Sequence, residues 1–166
     1  TVSNYLEERA EELVAGKDVL EFGAGAGLPS LVCAMVGART GYLWGSSVEN
    51  LTRHLDDPSS GFHLLILADL LFNHSEHTKL ISSVQLTLRR SPDARALVFF
   101  TPYRPWLLER DLAFFDLARC AGFAVQKILE HVMDKVLFER DRGDEVLRRT
   151  VYGYELRWNA HELGKK

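Results

Sequence analysis

The chain has 166 residues, 46% apolar and 26% charged, the mixture of one compact globular domain, which excludes general disorder. Lys and Arg total 20 against 23 Asp and Glu, a net charge of −3, which argues against a protein that coats nucleic acid. The longest apolar run, Leu64 to Ala68, is strand-sized and far short of the ~20 residues of a membrane span, and the polar segment Thr1 to Ala10 carries no signal pattern.

In chain order, Tyr5 to Ala15 reads as a helix with Leu6, Ala10, Leu13 and Val14 on one side, stopped by Gly16-Lys17. Asp18 to Phe22 is a short apolar strand, followed by the glycine cluster Gly23 to Gly27 and a helix from Leu28 to Val36 that is apolar nearly all round. Pro29 falls in its first turn, where a missing N–H costs little. Ser46 to Leu55 reads as a capped helix, and Asp57 to Gly61 as a loop. Phe62 to Ala68 is a buried strand; His74 to Arg89 is an amphipathic helix on His77, Leu80, Ile81, Val84 and Leu88. Ala94 to Phe100 is a strand. Pro105 to Ala121 is a helix stopped by Gly122, with Trp106, Phe114 and Phe115 expected in packing roles. Phe123 to Glu130 and Arg149 to Trp158 are strands with no helix-length spacer, so an antiparallel hairpin is expected, with Met133 to Leu147 as an excursion. Strands alternating with helices predict a single α/β domain with a largely parallel sheet. Cys33 and Cys120 are expected to be reduced and buried, as in a reducing compartment, and neither belongs to a metal-spaced cluster.

The strongest local signal is Val19-Leu20-Glu21-Phe22-Gly23-Ala24-Gly25-Ala26-Gly27. A strand ends in a carboxylate and enters a turn of small residues that opens a helix, where the backbone approaches a ligand closely and helix N–H groups are free to donate. The glycines are spaced G-x-G-x-G, with the acid before the first. A dinucleotide pyrophosphate has no use for a carboxylate there, whereas a cationic amino-acid ligand does. S-adenosylmethionine, with its ammonium and sulfonium, fits that charge pattern better than NAD. The plain alternative is a glycine turn with no ligand.

The run Glu21 to Ser30 resembles motif I of class I methyltransferases, with a Rossmann-like seven-strand sheet. Four segments resemble a fungal branch of the lysine methyltransferase-like group, methyltransferase family 16: Gly41-Tyr42-Leu43-Trp44-Gly45, Ala68-Asp69-Leu70-Leu71-Phe72-Asn73-His74-Ser75-Glu76-His77, Thr101-Pro102-Tyr103-Arg104-Pro105, and Phe138-Glu139 with Arg148 to Tyr154. That branch carries the historical label nicotinamide N-methyltransferase; its yeast member methylates the N-terminal glycine and adjacent lysine of translation elongation factor 1-alpha. The resemblance implies a cytoplasmic S-adenosylmethionine-dependent N-methyltransferase with elongation factor 1-alpha as protein substrate, and neither membrane nor direct nucleic-acid binding. It implies that Glu21, Gly23, Ala24, Gly25 and Gly27 line the donor, that Trp44 lies against its adenine, and that Ala68 gives a backbone contact. It also implies that Asp69, Phe72 and Asn73 belong to the acceptor pocket. Phe72 stands where related enzymes often have Tyr.

Such enzymes place an acid on the second strand, ~20 residues after the glycines, to hold the ribose hydroxyls. Here Ala38-Arg39 runs directly into Thr40 to Gly45, a segment that in the family follows the third strand. The second and third strands therefore look absent, and missing residues with a break between Arg39 and Thr40 are expected.

An acceptor amine must be neutral and must be oriented. Asp69 is the expected orienting group, with Asn73 and the Tyr103 hydroxyl as hydrogen-bond partners, and Phe72 and Tyr103 as cation–π faces. The plain reading of Asp69 is a helix cap. His74 and His77 lack a third metal ligand and read as structural, no metal being required. Ser30 has no nucleophile elbow around it. Asp141 to Glu145 reads as a solvated turn. Three alternatives stand beside the protein-substrate reading: a nicotinamide methyltransferase, a catalytically inactive binding module, and, more distantly, a dinucleotide-binding domain.

Overall fold

Alternating side chains of the first strand pack on opposite faces, and both faces are covered. The computed structural model describes residues 2–23, 27–44, 55, 60–136 and 141–164, with 40–44 described by their backbone. In β1 (Asp18–Phe22) every residue is buried. Val19 joins an apolar cluster with Leu6, Leu13 and Cys33, while Leu20 and Phe22 join another with Val84, Phe114 and Phe115. Burial on both faces requires helices on both faces, which is why such strands read as continuous apolar runs.

The N-terminal helix is two pieces, α1 (Val2–Glu8) and α2 (Ala10–Leu13), because Arg9 between them leaves helical geometry at φ −117° and ψ 25°. α3 (Leu28–Met35) follows the glycine turn. Although α3 is apolar nearly all round, it is not buried all round. Cys33 is buried, but Leu28, Leu31 and Met35 are 56%, 58% and 78% exposed, because the helix packs inward only through one side.

The break expected between Arg39 and Thr40 is not found: Arg39 leads straight into β2 (Thr40–Trp44), which pairs in parallel with β1 from Asp18↔Thr40 to Phe22↔Trp44. No strand was expected here; among the described residues one strand flanks β1 on this side. At its base the buried Asp18 carboxylate receives the Arg39 guanidinium, Nε to Oδ1 at 3.0 Å and Nη2 to Oδ2. His63 lies beside the same carboxylate, with Nδ1 accepting the Asp18 N–H at 3.3 Å. Burial, and after it the charge of Arg89, lowers the His63 pKa.

β3 (Leu64–Ala68) and β4 (Arg95–Phe100) continue the parallel sheet. One turn of 3-10 helix (His74–Glu76) opens α4 (His77–Thr87), and another (Pro105–Leu107) opens α5 (Leu108–Cys120). β5 (Phe123–Val132), the short α6 (Glu145–Arg148), β6 (Thr150–Trp158) and α7 (Ala160–Leu163) complete the described elements. β6 inserts antiparallel between β4 and β5, so the order among the described residues is β2-β1-β3-β4-β6-β5. Gly153 makes this close packing possible: a Cβ there would sit 2.7 Å from the Phe99 ring and 2.9 Å from Leu129 Cβ.

Two packing expectations fail. Cys120 is exposed, since Phe114, Phe115 and Ala118 form the inward face of α5, and Trp106 is 62% exposed in the 3-10 turn ahead of that helix. The predicted helix Ser46 to Leu55 lies outside the described residues, Leu55 excepted. Among the described residues no helix is long and apolar enough to cross a membrane.

Candidate active site

The parallel strands β1, β3 and β4 bring their C-terminal ends to one edge, where α/β sheets present their ligand-binding loops. Glu21, one residue before the end of β1, pairs with Leu43 and Ile66 and is 1% exposed. Its Oε2 accepts the Ser30 N–H at 2.9 Å and the Ser30 hydroxyl at 2.6 Å. The turn beyond it begins at Gly23, φ 60°, and ends at Gly27, φ 69°, both left-handed as glycine allows. Gly23 lies over the side chain of Leu70, so the turn after β1 and the loop after β3 touch. Gly27 is the residue before α3, and its carbonyl accepts the Leu31 N–H at 3.0 Å. Ala24 and Gly25 lie outside the described residues. Trp44 ends β2 opposite Phe22; its side chain lies outside the description.

Ala68 closes β3 opposite Phe99, and Asp69 turns the chain with φ 54°, the sole positive φ at a non-glycine among the described residues. The Asp69 N–H still donates to the Phe99 carbonyl at 2.8 Å, and its Oδ1 accepts the Thr101 N–H at 3.1 Å. Asp69 therefore anchors the loop of β4 and does not cap the following helix. Although the residue reaches solvent, the protein packed around its carboxyl raises its pKa, against the lowering pull of the Thr101 N–H. The Tyr103 N–H donates to the Thr101 carbonyl at 2.8 Å. The Tyr103 hydroxyl is also pushed up, first by burial and then by the Asp69 charge. Two groups that line one recess in partly dry surroundings, each shifted toward its neutral form, are a common feature of functional sites.

Asp69, Phe72, Tyr103 and Arg104 line a recess of about 30 Å³. It adjoins a cleft of about 290 Å³ bounded by Ser3, Pro29, Asp69, Tyr103, Met133 and Val151. Asn73 is not gathered with them. It lines a neighbouring groove of about 410 Å³ with Leu70 and Lys79, which shares Phe72 with the recess, and its Oδ1 accepts the Ser75 hydroxyl at 3.0 Å. The rim is latched at three points. Arg104 Nη2 donates to the Phe72 carbonyl at 2.6 Å, buried His77 donates from Nε2 to the Leu71 carbonyl at 2.8 Å, and His74 Nε2 meets Asp111 Oδ1 at 2.7 Å. Both histidines thus have structural partners, and among the described residues no group of three or more His, Cys, Asp or Glu is placed to hold a metal. Ser30, Thr101 and Arg104 escaped the sequence reading as site residues. For Ser30 the available signal was its place in the first turn of a helix that follows the acid.

Chemically, the edge offers a buried carboxylate beside a glycine turn and, one strand over, a carboxyl, a phenol and a phenyl ring around a small recess. That suits a cationic ligand at the first position and an amine at the second.

No protein-family model matches the chain. It is 48% identical over 198 aligned positions, covering 98% of this chain and 76% of the relative, to the Aspergillus fumigatus protein named protein N-terminal and lysine N-methyltransferase efm7. The Schizosaccharomyces pombe protein of the same name is 36% identical over 188 positions, covering 93% of this chain and 73% of the relative. Both alignments exceed the 166 residues of the chain. In fold, the chain is similar to a SAM-dependent methyltransferase from Archaeoglobus fulgidus, with a TM-score of 0.58 at 12% identity over 93% of this chain and 92% of that one.

Proposed function

Since this chain belongs to the family of protein N-terminal and lysine N-methyltransferases, we propose that it methylates the N-terminal glycine and adjacent lysine of translation elongation factor 1-alpha, with S-adenosylmethionine as donor. The observation that carries this reading is Asp69. A non-glycine residue is held in left-handed geometry at a strand tip, its carboxyl fixed by Thr101, beside Phe72 and Tyr103. Asp tolerates this geometry better than most side chains, and the contacts around it fix its carboxyl at the strand tip, where loops of such sheets bind ligands.

The residues fit the donor. Glu21 supplies a buried anion for a cationic amino-acid end, and the left-handed glycines Gly23 and Gly27 bound the turn. When bound, S-adenosylmethionine supplies an electrophilic methyl group. The chain's own residues then have to hold a nitrogen with its lone pair free. An α-amine, with a pKa of about 7.7–8.0, is often neutral near physiological pH, whereas a lysine at about 10.4 needs desolvation or a nearby carboxylate. Asp69 provides that carboxylate, the Tyr103 hydroxyl a hydrogen-bond partner, and Phe72 an aromatic face for the methylated cation. Phe72 is 62% exposed, which favours a chain-like substrate entering an open recess over a small pyridine enclosed in an aromatic box.

We propose further that the residues by which the relatives exceed this chain belong between Arg39 and Thr40, and that they carry the ribose-holding acid. The long alignments support this, as does the one strand that stands beyond β1, on the side away from β3, among the described residues.

The test is incubation with isotopically labelled S-adenosylmethionine and either a peptide beginning Gly-Lys, from the N-terminus of the elongation factor, or nicotinamide. Label on the peptide α-amine and lysine, located by mass spectrometry, is the expected result. Label on nicotinamide alone, or on neither, overturns the reading.

A further inference from the structure

A buried carboxylate needs donors. Glu21, 1% exposed, has two from Ser30 in the first turn of α3: the N–H at 2.9 Å and the hydroxyl at 2.6 Å. The shorter distance is that of a hydroxyl bonded to a charged carboxylate. Cys33, one turn further on, senses the same group. Burial pushes its thiol up to about 12, and the Glu21 charge adds to the effect. The Ser30–Cys33 face of α3 is therefore turned toward Glu21. Among the described residues, both hydrogen bonds to this carboxylate fall on Oε2.

A carboxylate pinned through one oxygen has the direction of the other fixed. We propose that Ser30 is a positioning residue for the methyl donor: by holding Oε2 it aims Glu21 Oε1 at the cationic amino-acid end of the ligand. The inference rests on the reading that Glu21 receives that end. The physical gain is pre-organisation. A free carboxylate loses rotamer freedom when a ligand arrives, whereas a pinned one has lost it on folding. The Ser30 N–H remains in any variant, so removing the hydroxyl loosens Glu21 without releasing it.

The experiment is isothermal titration of the full chain with S-adenosylmethionine and, separately, with 5′-methylthioadenosine, which keeps the adenosine and thioether but has no amino-acid tail. Ser30→Val deletes the hydroxyl while keeping a branched side chain, Ser30→Thr keeps the hydroxyl, and Glu21→Gln removes the charge. Ser30→Val is expected to weaken S-adenosylmethionine about tenfold, the scale of a hydrogen bond to a charged group. Ser30→Thr should restore binding to within about twofold on the same scale. Methylthioadenosine should bind all three serine-site proteins alike. If Glu21→Gln weakens S-adenosylmethionine but Ser30→Val does not, the role of Ser30 is overturned. It is equally overturned if Ser30→Val weakens both ligands alike, the mark of a merely structural residue. If Glu21→Gln has no effect, the reading of Glu21 itself fails. Ser30→Ala replaces the valine variant should that one fail to fold, and the same outcomes decide.

Discussion

Asp69 has two properties that pull apart. Its left-handed backbone suits Asp or Asn, whose short polar side chains tolerate φ near 54°, and its partly dry surroundings penalise the charged form. A raised carboxyl pKa means that the folded state favours the protonated form. The stability this contributes is present below the unfolded value of about 3.9 and is lost as pH rises through the folded value. At neutral pH the charged Asp69 is therefore a net cost to the fold. Asp69→Asn is expected to raise the melting temperature slightly while lowering methylation by tenfold or more, the scale of one orienting hydrogen bond in a transition state. In the wild type the acid side of the rate profile should carry an Asp69 ionisation above the ordinary Asp range together with that of the acceptor amine, and in Asp69→Asn only the amine's ionisation should remain. Asp69→Ala loses the function as well, and carries an extra cost of about 1–2 kcal/mol from the left-handed backbone. Thermal melts and a pH–rate series on both variants check this.

Between residue and fold, the decisive unit is the segment 69–76, which connects β3 to α4 and has few apolar anchors of its own. Leu71 is buried, but Phe72 and Asn73 face outward, so the loop is held by polar latches. His77 is the principal one. Its ring sits edge-on to Phe114 at 5.4 Å while Nε2 donates to the Leu71 carbonyl. Burial lowers its pKa, although the bond to Leu71 works the other way. His77→Phe keeps the aromatic packing and orphans a buried carbonyl. The expected cost is about 1 kcal/mol, or ~2–4 °C in melting temperature for a chain of this size. The Asp69–Tyr103 recess should loosen with it, so methylation should fall more than stability does. Hydrogen exchange of the 69–73 amides measures the loosening directly. Unchanged exchange there would mean that other contacts hold the loop.

At the scale of the whole molecule, the sheet is asymmetric about β1. On one side β3, β4, β6 and β5 follow in order; on the other stands only β2 among the described residues. On the same molecule α3 leaves Leu28, Leu31 and Met35 exposed on successive turns, and apolar stripes of this kind ordinarily pack against another element. Relatives whose alignments run to 198 and 188 positions carry residues that this chain lacks. Inserting the corresponding residues of the Aspergillus fumigatus relative between Arg39 and Thr40 is expected to tighten S-adenosylmethionine binding by tenfold or more. That is the scale of a carboxylate gripping ribose hydroxyls. Titration calorimetry measures it, and unchanged affinity would place the missing grip elsewhere.

Local pattern was enough for the alternation of strands and helices, the antiparallel C-terminal pair, and the acid–glycine turn at 21–27, because each rests on periodicity or on backbone permissions that neighbouring residues encode. The four motifs were enough for the family. Three things required the folded chain. Thr40–Trp44 is a strand paired with β1: its Thr, Tyr and Trp favour that state, but five residues interrupted by Gly41 make a weak signal without the neighbouring strand. Asn73 lines a different groove from Asp69, a placement that spacing along a sequence does not reveal. Ser30 and Thr101 entered the site only when α3 and the end of β4 were brought against Glu21 and Asp69. A hydrogen bond between residues 32 positions apart, such as Thr101 to Asp69, is a property of the sheet and not of either segment.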